Sequence, residues 1–119
     1  MLIRDSLIDE LFRSTQINSS KLALAEHQRN LTYAELWKSI SLTSDKLESL
    51  GVKNKDRVLF SIKNSIDFII LHFAILKVGG ISVPVDVTLS DGNLNTIVED
   101  LDPVLIISET DLSDRLVNN

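Results

Sequence analysis

The chain has 119 residues, 44% of them hydrophobic, and a formal net charge of −5 at pH 7. This length and apolar content predict one domain with one core. Acidic residues outnumber Lys and Arg, and both signs are dispersed along the chain, so we expect no basic surface and no nucleic-acid partner. Because there is no cysteine and the histidines His27 and His72 are isolated, disulfides are excluded and no metal site is expected.

Neither a secretion signal nor a membrane span is expected. The stretch from Met1 reaches Asp5 before an apolar run of signal-peptide length develops. The longest apolar-rich run, Ile66 to Val78, is shorter than the about 20 residues that cross a bilayer. These features, together with the lack of cysteine, predict a cytoplasmic location.

The first predicted elements are a helix and two strands. A short amphipathic helix is predicted from Ser6 to Phe12, because its apolar residues recur at helical spacing. Between Leu22 and Leu31 a weak alternation of apolar and polar residues predicts two short strands around a turn.

The next helix has a clear start signal. Thr32 and Glu35 have the spacing of a capping box, in which each side chain bonds the backbone of the other residue. The helix is predicted to begin at Tyr33 and to run to about Leu50. Gly51 follows where a left-handed C-terminal cap is expected.

The rest of the chain alternates strands and helices, which predicts parallel strands joined by right-handed crossovers. The expected fold class is therefore α/β, a three-layer-type βαβαβ parallel sheet with flanking helices. A last turn or helix is expected between Asp111 and Val117. The predicted elements are a strand from Asp56 to Ile62, a helix capped by Asn64 or Ser65, a strand from Ile81 to Val85, a helix capped by Ser90, and a strand from Val104 to Ile107.

The helix from Ile66 to Val78 is apolar on nearly all sides. Ten of its thirteen residues are apolar, and Asp67, His72 and Lys77 point in three different directions. Such a helix is normally covered on most sides, whereas a sheet covers only one. We expect the outer side to be covered by the rest of a longer polypeptide or by self-association. The alternative is that the helices at Ser6 and Tyr33 wrap around it.

Gly79 and Gly80 are interpreted as structural. One glycine can adopt the left-handed conformation that ends a helix, and the other permits a tight entry into the strand from Ile81 to Val85. Phosphate-binding glycine loops run from a strand into a helix, which is the opposite order.

Few polar residues are candidates for a site. Lys63, Asn64 and Ser65 stand between a strand and a helix, where doubly wound sheets place ligands, although Asn64 or Ser65 is already explained as a cap. Asp86 follows the next strand and is interpreted as an anchor of its loop. His72 has no carboxylate at helical spacing and is interpreted as a packed histidine rather than a base.

Two motifs resemble a known family. Leu31-Thr32-Tyr33-Ala34-Glu35-Leu36 and the stretch from Leu76 to Asp86 resemble the first two core motifs of the adenylate-forming enzymes: acyl-CoA synthetases, luciferases and adenylation domains of peptide synthetases. The resemblance extends from about Leu22 to Glu109. It implies a two-step reaction in which ATP and a carboxylic acid form an acyl adenylate, and a thiol then takes the acyl group. It also implies ATP and Mg²⁺ as cofactors of the full-length enzyme.

The same resemblance assigns no catalytic, cofactor-binding or metal position to this chain. In the family, a Ser/Thr/Gly-rich loop ending in Pro-Lys holds the phosphates, a later aspartate holds the ribose, and a lysine near the C-terminus assists the first step; none has a match here. The positions that do match are scaffold positions: Thr32, Glu35, Gly79, Gly80, Pro84 and Asp86.

We therefore interpret residues 1–119 as the N-terminal part of an AMP-binding domain, inactive alone and with no bound cofactor. The implied partners are the remainder of the polypeptide, a second copy of the chain where the segment self-associates, and a carrier-protein pantetheine or CoA. The resemblance associates an aspartate at the position of Asp86 with amino-acid adenylation domains rather than acyl-CoA synthetases. One alternative is a free-standing small α/β interaction or structural module. Another is a flavodoxin-like nucleotide binder, for which Lys63-Asn64-Ser65 is a poor phosphate loop.

Overall fold

The computed structural model describes residues 3–26, 29–63, 65–86 and 88–116, and only the backbone of residues 3–7 and 26. The isolated histidine His27, the proposed cap Asn64 and the end of the last turn at Val117 lie outside the described residues. The four helices in the described part are α1 (Ile3–Ile17), α2 (Tyr33–Ser49), α3 (Ile66–Lys77) and α4 (Asp91–Leu101). The five strands there are β1 (Leu22–Glu26), β2 (Arg29–Thr32), β3 (Arg57–Ser61), β4 (Ile81–Pro84) and β5 (Leu105–Ser108).

The amino-terminal third contains α1 and a hairpin. Strands β1 and β2 pair antiparallel, with Leu24 opposite Leu31 and Glu26 opposite Arg29, and the register is irregular between Leu22 and Leu24. The prediction of a helix followed by two short strands is confirmed. Helix α1 is longer than the predicted segment and packs against α2 and α3.

Helix α2 begins as its sequence predicts. The Thr32 hydroxyl accepts the Glu35 N–H at 3.2 Å, and the Thr32 N–H donates to Glu35 Oε1 at 2.9 Å. These bonds hold the pKa of the Glu35 carboxyl below its usual value. The helix ends before Gly51, whose φ of 99° is left-handed, so both predicted ends are confirmed. A cap of this kind is worth about 1 kcal/mol.

A parallel three-stranded sheet in the order β4-β3-β5 forms the centre of the fold. The central strand β3 alternates between two faces, because successive side chains of a strand point in opposite directions. Val58 and Phe60 belong to the main core under α1, α2 and α3. Leu59 is fully buried but is not part of that cluster, and Leu94 of α4 is buried outside it as well. The predicted α/β sheet with helices flanking it is confirmed.

The outer side of α3 is covered, which corrects our first expectation. Helix α3 packs against α1, α2 and the hairpin strand β1, as well as against β4. Its residues Ile70, Leu71 and Ile75 are buried, and the exposed large hydrophobic side chains of the described residues all lie outside α3. The prediction that this cover comes from the rest of a longer polypeptide or from self-association was therefore wrong, and the alternative of wrapping by the preceding helices is confirmed. No described helix is long and apolar enough to cross a membrane.

The two adjacent glycines close the turn between α3 and β4. Gly79 has a φ of 86°, and a Cβ there would lie 2.6 Å from Asn54 Oδ1. Its carbonyl accepts the Lys55 N–H at 2.7 Å. A Cβ on Gly80 would lie 3.2 Å from the Asp56 carbonyl oxygen. Both structural interpretations of the glycines are confirmed.

Candidate functional site

The carboxyl ends of the three parallel strands open onto a cleft of about 500 Å³. The chain passes from β3 to β4 on one side and then to β5 on the other side of β3. Open α/β sheets bind ligands in the crevice that forms where the strand order reverses in this way. The cleft is lined by Ser61, Ile62, Lys63, Phe68, Pro84, Val85, Asp86, Glu109 and Thr110.

Exposed hydrogen bonds hold the exits of β3 and β5 together at this cleft. The Glu109 N–H donates to the Ser61 carbonyl at 3.3 Å, and Glu109 Oε1 accepts the Lys63 N–H at 3.3 Å. The side chains of Lys63 and Glu109 are both exposed. Glu109 therefore links the two strand exits, a role that its position in the sequence did not reveal.

Asp86 anchors the loop that follows β4. Its Oδ1 accepts the Thr88 N–H at 2.9 Å, and this bond holds the pKa of the carboxyl below its usual value. The predicted structural role of Asp86 is confirmed, and the carboxylate also lines the cleft.

The aromatic side chain of Phe68 lines the cleft on the side of α3. The Phe68 ring packs against Phe60 with centroids 5.2 Å apart. The Phe68 N–H donates to the Ser65 hydroxyl at 3.5 Å, so Ser65 caps the helix. Of the three residues predicted after β3, Lys63 lines the cleft and Ser65 is a cap.

The charges of the cleft do not match a polyphosphate. Lys63 supplies one cation, whereas Asp86 and Glu109 supply two carboxylates. Phosphate-binding loops instead use a row of backbone N–H groups reinforced by lysine. Within the described residues there is also no group of three or more His, Asp or Glu side chains that could hold a metal ion. The cleft residues alone therefore do not form a binding site for a triphosphate.

His72 lies outside the cleft and connects α3 to β4. Its Nδ1 is 2.8 Å from the Ser82 hydroxyl, and its ring stacks on Phe68 with centroids 6.4 Å apart. Partial burial holds the pKa of the imidazole below its usual value. The interpretation as a packed histidine agrees with this geometry, although the partner Ser82 could not be found from helical spacing.

Arg115 joins the segment after β5 to the loop that precedes α4. Its Nε is 2.6 Å from Asp91 Oδ1, and its guanidinium also donates to the Leu89 carbonyl at 2.5 Å. Asn95 donates to the Arg115 carbonyl at 2.7 Å. The segment after β5 is thus tied to the start of α4. Because these contacts join residues that are far apart in sequence, local sequence patterns could not predict them.

The positions that matched the sequence motifs do not converge on one place. Thr32 and Glu35 lie at the start of α2, and Gly79 and Gly80 lie at the amino ends of the strands. Only Pro84 and Asp86 reach the cleft. This arrangement agrees with the interpretation of the six as scaffold positions.

Comparison with known proteins gives one consistent family. The AMP-binding enzyme family matches residues 11–119. Tenellin synthetase of Beauveria bassiana (strain ARSEF 2860) is 29% identical over 110 residues, which are 92% of this chain and 3% of that protein. A medium/long-chain-fatty-acid–CoA/3-oxocholest-4-en-26-oate–CoA ligase of Mycolicibacterium smegmatis is 32% identical over 98 residues, which are 82% of this chain and 18% of that protein.

A solved structure shows the same fold. The anthranilate CoA ligase AuaEII in complex with anthranoyl-AMP superposes with a TM-score of 0.82 at 22% identity, over 91% of this chain and 21% of that one. The chain thus spans less than a quarter of the length of each of these three proteins. Because the family match covers nearly the whole sequence and the fold agrees, the chain belongs to the AMP-binding, adenylate-forming enzyme family.

Proposed function

We propose that residues 1–119 form the N-terminal part of the AMP-binding domain of a longer ligase that activates a carboxylic acid. The observation that supports this most is the family match over residues 11–119, combined with the small share of each relative that the chain spans. The motif positions lie in the scaffold of the fold, so the chain contributes a framework and an open cleft rather than reactive groups.

In the proposed reaction, a carboxylate oxygen of the acid bonds to the α-phosphorus of ATP and pyrophosphate leaves. A thiol, from CoA or a carrier-protein pantetheine, then bonds to the acyl carbon and AMP leaves. Mg²⁺ would neutralise phosphate charge, as is general for such chemistry. Since the cleft supplies a single cation, other parts of the longer protein are proposed to hold the triphosphate and its Mg²⁺. The 119-residue chain is accordingly proposed to be inactive.

The acid is proposed to be an amino acid. Asp86 follows Val83-Pro84-Val85 at the end of β4, and the resemblance associates aspartate at this place with amino-acid adenylation rather than acyl-CoA synthesis. The lack of cysteine supports a cytoplasmic location.

An isotope-exchange assay tests the proposal. The full-length product of the gene is incubated with ATP, Mg²⁺, labelled pyrophosphate and a panel of all proteinogenic amino acids, aryl acids and fatty acids. We expect acid-dependent exchange of label into ATP with at least one amino acid, and none with the 119-residue chain. Exchange with fatty acids alone would overturn the substrate class, and absence of exchange with a panel of all proteinogenic amino acids, aryl acids and fatty acids would overturn the activity.

The alternative of a free-standing interaction module has lost its main support. Such a module would use the apolar helix α3 as its docking face, and that helix is covered by α1, α2 and β1.

A further inference from the structure

A second cavity, of about 420 Å³, lies between the C-terminal parts of α2 and α3. Its lining residues belong to these two helices, to the C-cap of α3 and to residues 51–54, so it lies in the layer of helices and apart from the strand ends that Gly79 and Gly80 close. It shares no lining residue with the cleft. We call it the α2–α3 cavity; its polar lining comes from Ser44, Asp45, Glu48, Lys53, Asn54 and Lys77.

One wall of this cavity contains a buried hydroxyl without a partner. Ser44 is only 4% exposed, on the buried face of α2, and it lines the cavity. Ser49 of the same helix donates its hydroxyl to the Lys46 carbonyl at 2.7 Å, whereas the Ser44 hydroxyl has no hydrogen-bond partner in the part of the chain that the structure describes. A buried polar group without a partner costs free energy, so the Ser44 hydroxyl favours a ligand that brings a partner into the cavity.

The helical side of the cavity has a negative charge. Asp45 and Glu48 are three residues apart, so their exposed side chains lie on the same side of α2. Among the described residues, neither carboxylate has an ion-pair or hydrogen-bond partner. The C-terminal ends of α2 and α3 add partial negative charges. These groups attract a cation, and a primary ammonium has three N–H donors for the two carboxylates and the Ser44 hydroxyl.

The loop side of the cavity supplies the opposite charge. The side chain of Lys53 is exposed, and its ammonium pairs with no carboxylate of the described residues. Asn54 adds an amide donor. Lys77 also lines the cavity, but its Nζ lies 5.8 Å from the ring centroid of Trp37, which is outside the lining. An anionic group is therefore expected to bind at Lys53.

We propose that the α2–α3 cavity binds a small zwitterion, a molecule that carries a primary ammonium and a carboxylate. The ammonium donates to Asp45, Glu48 and Ser44, and the carboxylate accepts from Lys53 and Asn54. A metal ion fits less well, because no group of three or more His, Asp or Glu side chains in the described residues could hold one. This site goes beyond the acid activation proposed above and uses none of the residues of the cleft.

Titration calorimetry with three probes of equal chain length tests the proposal on the full-length gene product, without ATP. The probes are β-alanine, which has both charges, propylamine, which lacks the carboxylate, and propanoate, which lacks the ammonium. We expect β-alanine to bind at least about tenfold more tightly than either of the others, because each of them loses one set of charge-assisted hydrogen bonds. Equal affinities for the three probes, or no saturable binding of β-alanine, would overturn the proposal.

Substitutions assign the binding to this cavity. Asp45→Asn should weaken both β-alanine and propylamine about tenfold, whereas Lys53→Gln should weaken β-alanine alone. Ser44→Ala should weaken both ligands about fivefold, because it removes one acceptor of the ammonium. Lys46→Gln is the matched control, since this exposed lysine of α2 is outside the lining, and it should change neither affinity by more than about twofold.

The pattern across the variants separates this site from any other in the longer protein. Binding of β-alanine that survives both Asp45→Asn and Lys53→Gln would belong elsewhere and would overturn the proposal, as would an unchanged affinity in Ser44→Ala. Equal thermal midpoints of Asp45→Asn, Lys53→Gln and the native protein show that these changes act on binding and not on folding. None of these readouts depends on catalysis, so the site can hold even if the full-length protein shows no pyrophosphate exchange.

Discussion

The two ends of the parallel sheet are built differently, although the same three strands form both. At the amino ends, Gly79 and Gly80 lie so close to Asn54 and Asp56 that a single added carbon would crowd its neighbours. At the carboxyl ends, Glu109 holds the strand exits by exposed hydrogen bonds around a cleft of about 500 Å³. Packing seals one end and leaves the other open, so the carboxyl end is the one free to serve a function.

The largest loss of stability is expected from the Gly79→Ala substitution, at the sealed amino end of the sheet. Gly79 combines a φ of 86° with a Cβ position 2.6 Å from Asn54 Oδ1. We expect a loss of about 2 kcal/mol in the free energy of unfolding, from left-handed strain plus crowding. Chemical denaturation measures it.

Gly51→Ala is the control for this variant. Gly51 has a φ of 99°, but nothing lies within 4 Å of its Cβ position. The Gly51→Ala variant should lose only the part of the free energy of unfolding that comes from left-handed strain, about 1 kcal/mol. If the two alanine variants were equally stable, crowding would not be what seals the amino end.

An intermediate effect on stability is expected from a change of pH, through the contact of His72 of α3 with Ser82 of the edge strand β4. Burial lowers the pKa of His72 below 6.5, so the unfolded chain binds the proton more readily than the folded one. The stability that the neutral ring contributes is present above pH 6.5 and is lost as the pH falls through 6.5 towards the lower folded pKa.

Denaturation curves between pH 7.5 and about 5 check this expectation, with His72→Gln as the comparison. Carboxylates also titrate towards the lower end of the range, so the informative quantity is the difference between the native chain and the variant. The native chain should lose more stability on acidification than His72→Gln. A variant with the same pH dependence would show that the ring is not held neutral by its surroundings.

The smallest effect is expected at the open end, from Glu109→Gln. The side chain is exposed and its bond to the Lys63 N–H is 3.3 Å long, a bond that glutamine can also accept. We expect a change within about 0.5 kcal/mol, measured by the same denaturation. Glu99→Gln on the exposed side of α4 is the matched control. A loss as large as that of Gly79→Ala would remove the contrast between the two ends.

The error about α3 shows where reasoning from one helix fails. The apolar composition of α3 predicted correctly that nearly all sides of this helix are packed against other elements. Composition cannot tell which elements those are. Helices α1 and α2 provide that cover within the chain, through faces that include Leu11 and Ile40. The inference of a longer polypeptide therefore rests on the lengths of the relatives and not on α3.

The sequence by itself determined the features that depend on neighbours along the chain. The capping pair Thr32 and Glu35, the helix end at Gly51, the cap at Ser90 and the order of strands and helices all arise from contacts within a few residues. The family was also readable, because its two motifs are short and continuous. Local hydrogen bonds and side-chain periodicity require no knowledge of the rest of the fold.

Only the tertiary structure decided what depends on residues far apart in sequence. The order β4-β3-β5 brings Lys63, Asp86 and Glu109 to one cleft, and the packing of α3 on β4 pairs His72 with Ser82. Strand order follows from the free energy of packing the whole chain, since several orders satisfy the same local pattern. The cleft could therefore not be assigned before the strands were placed side by side.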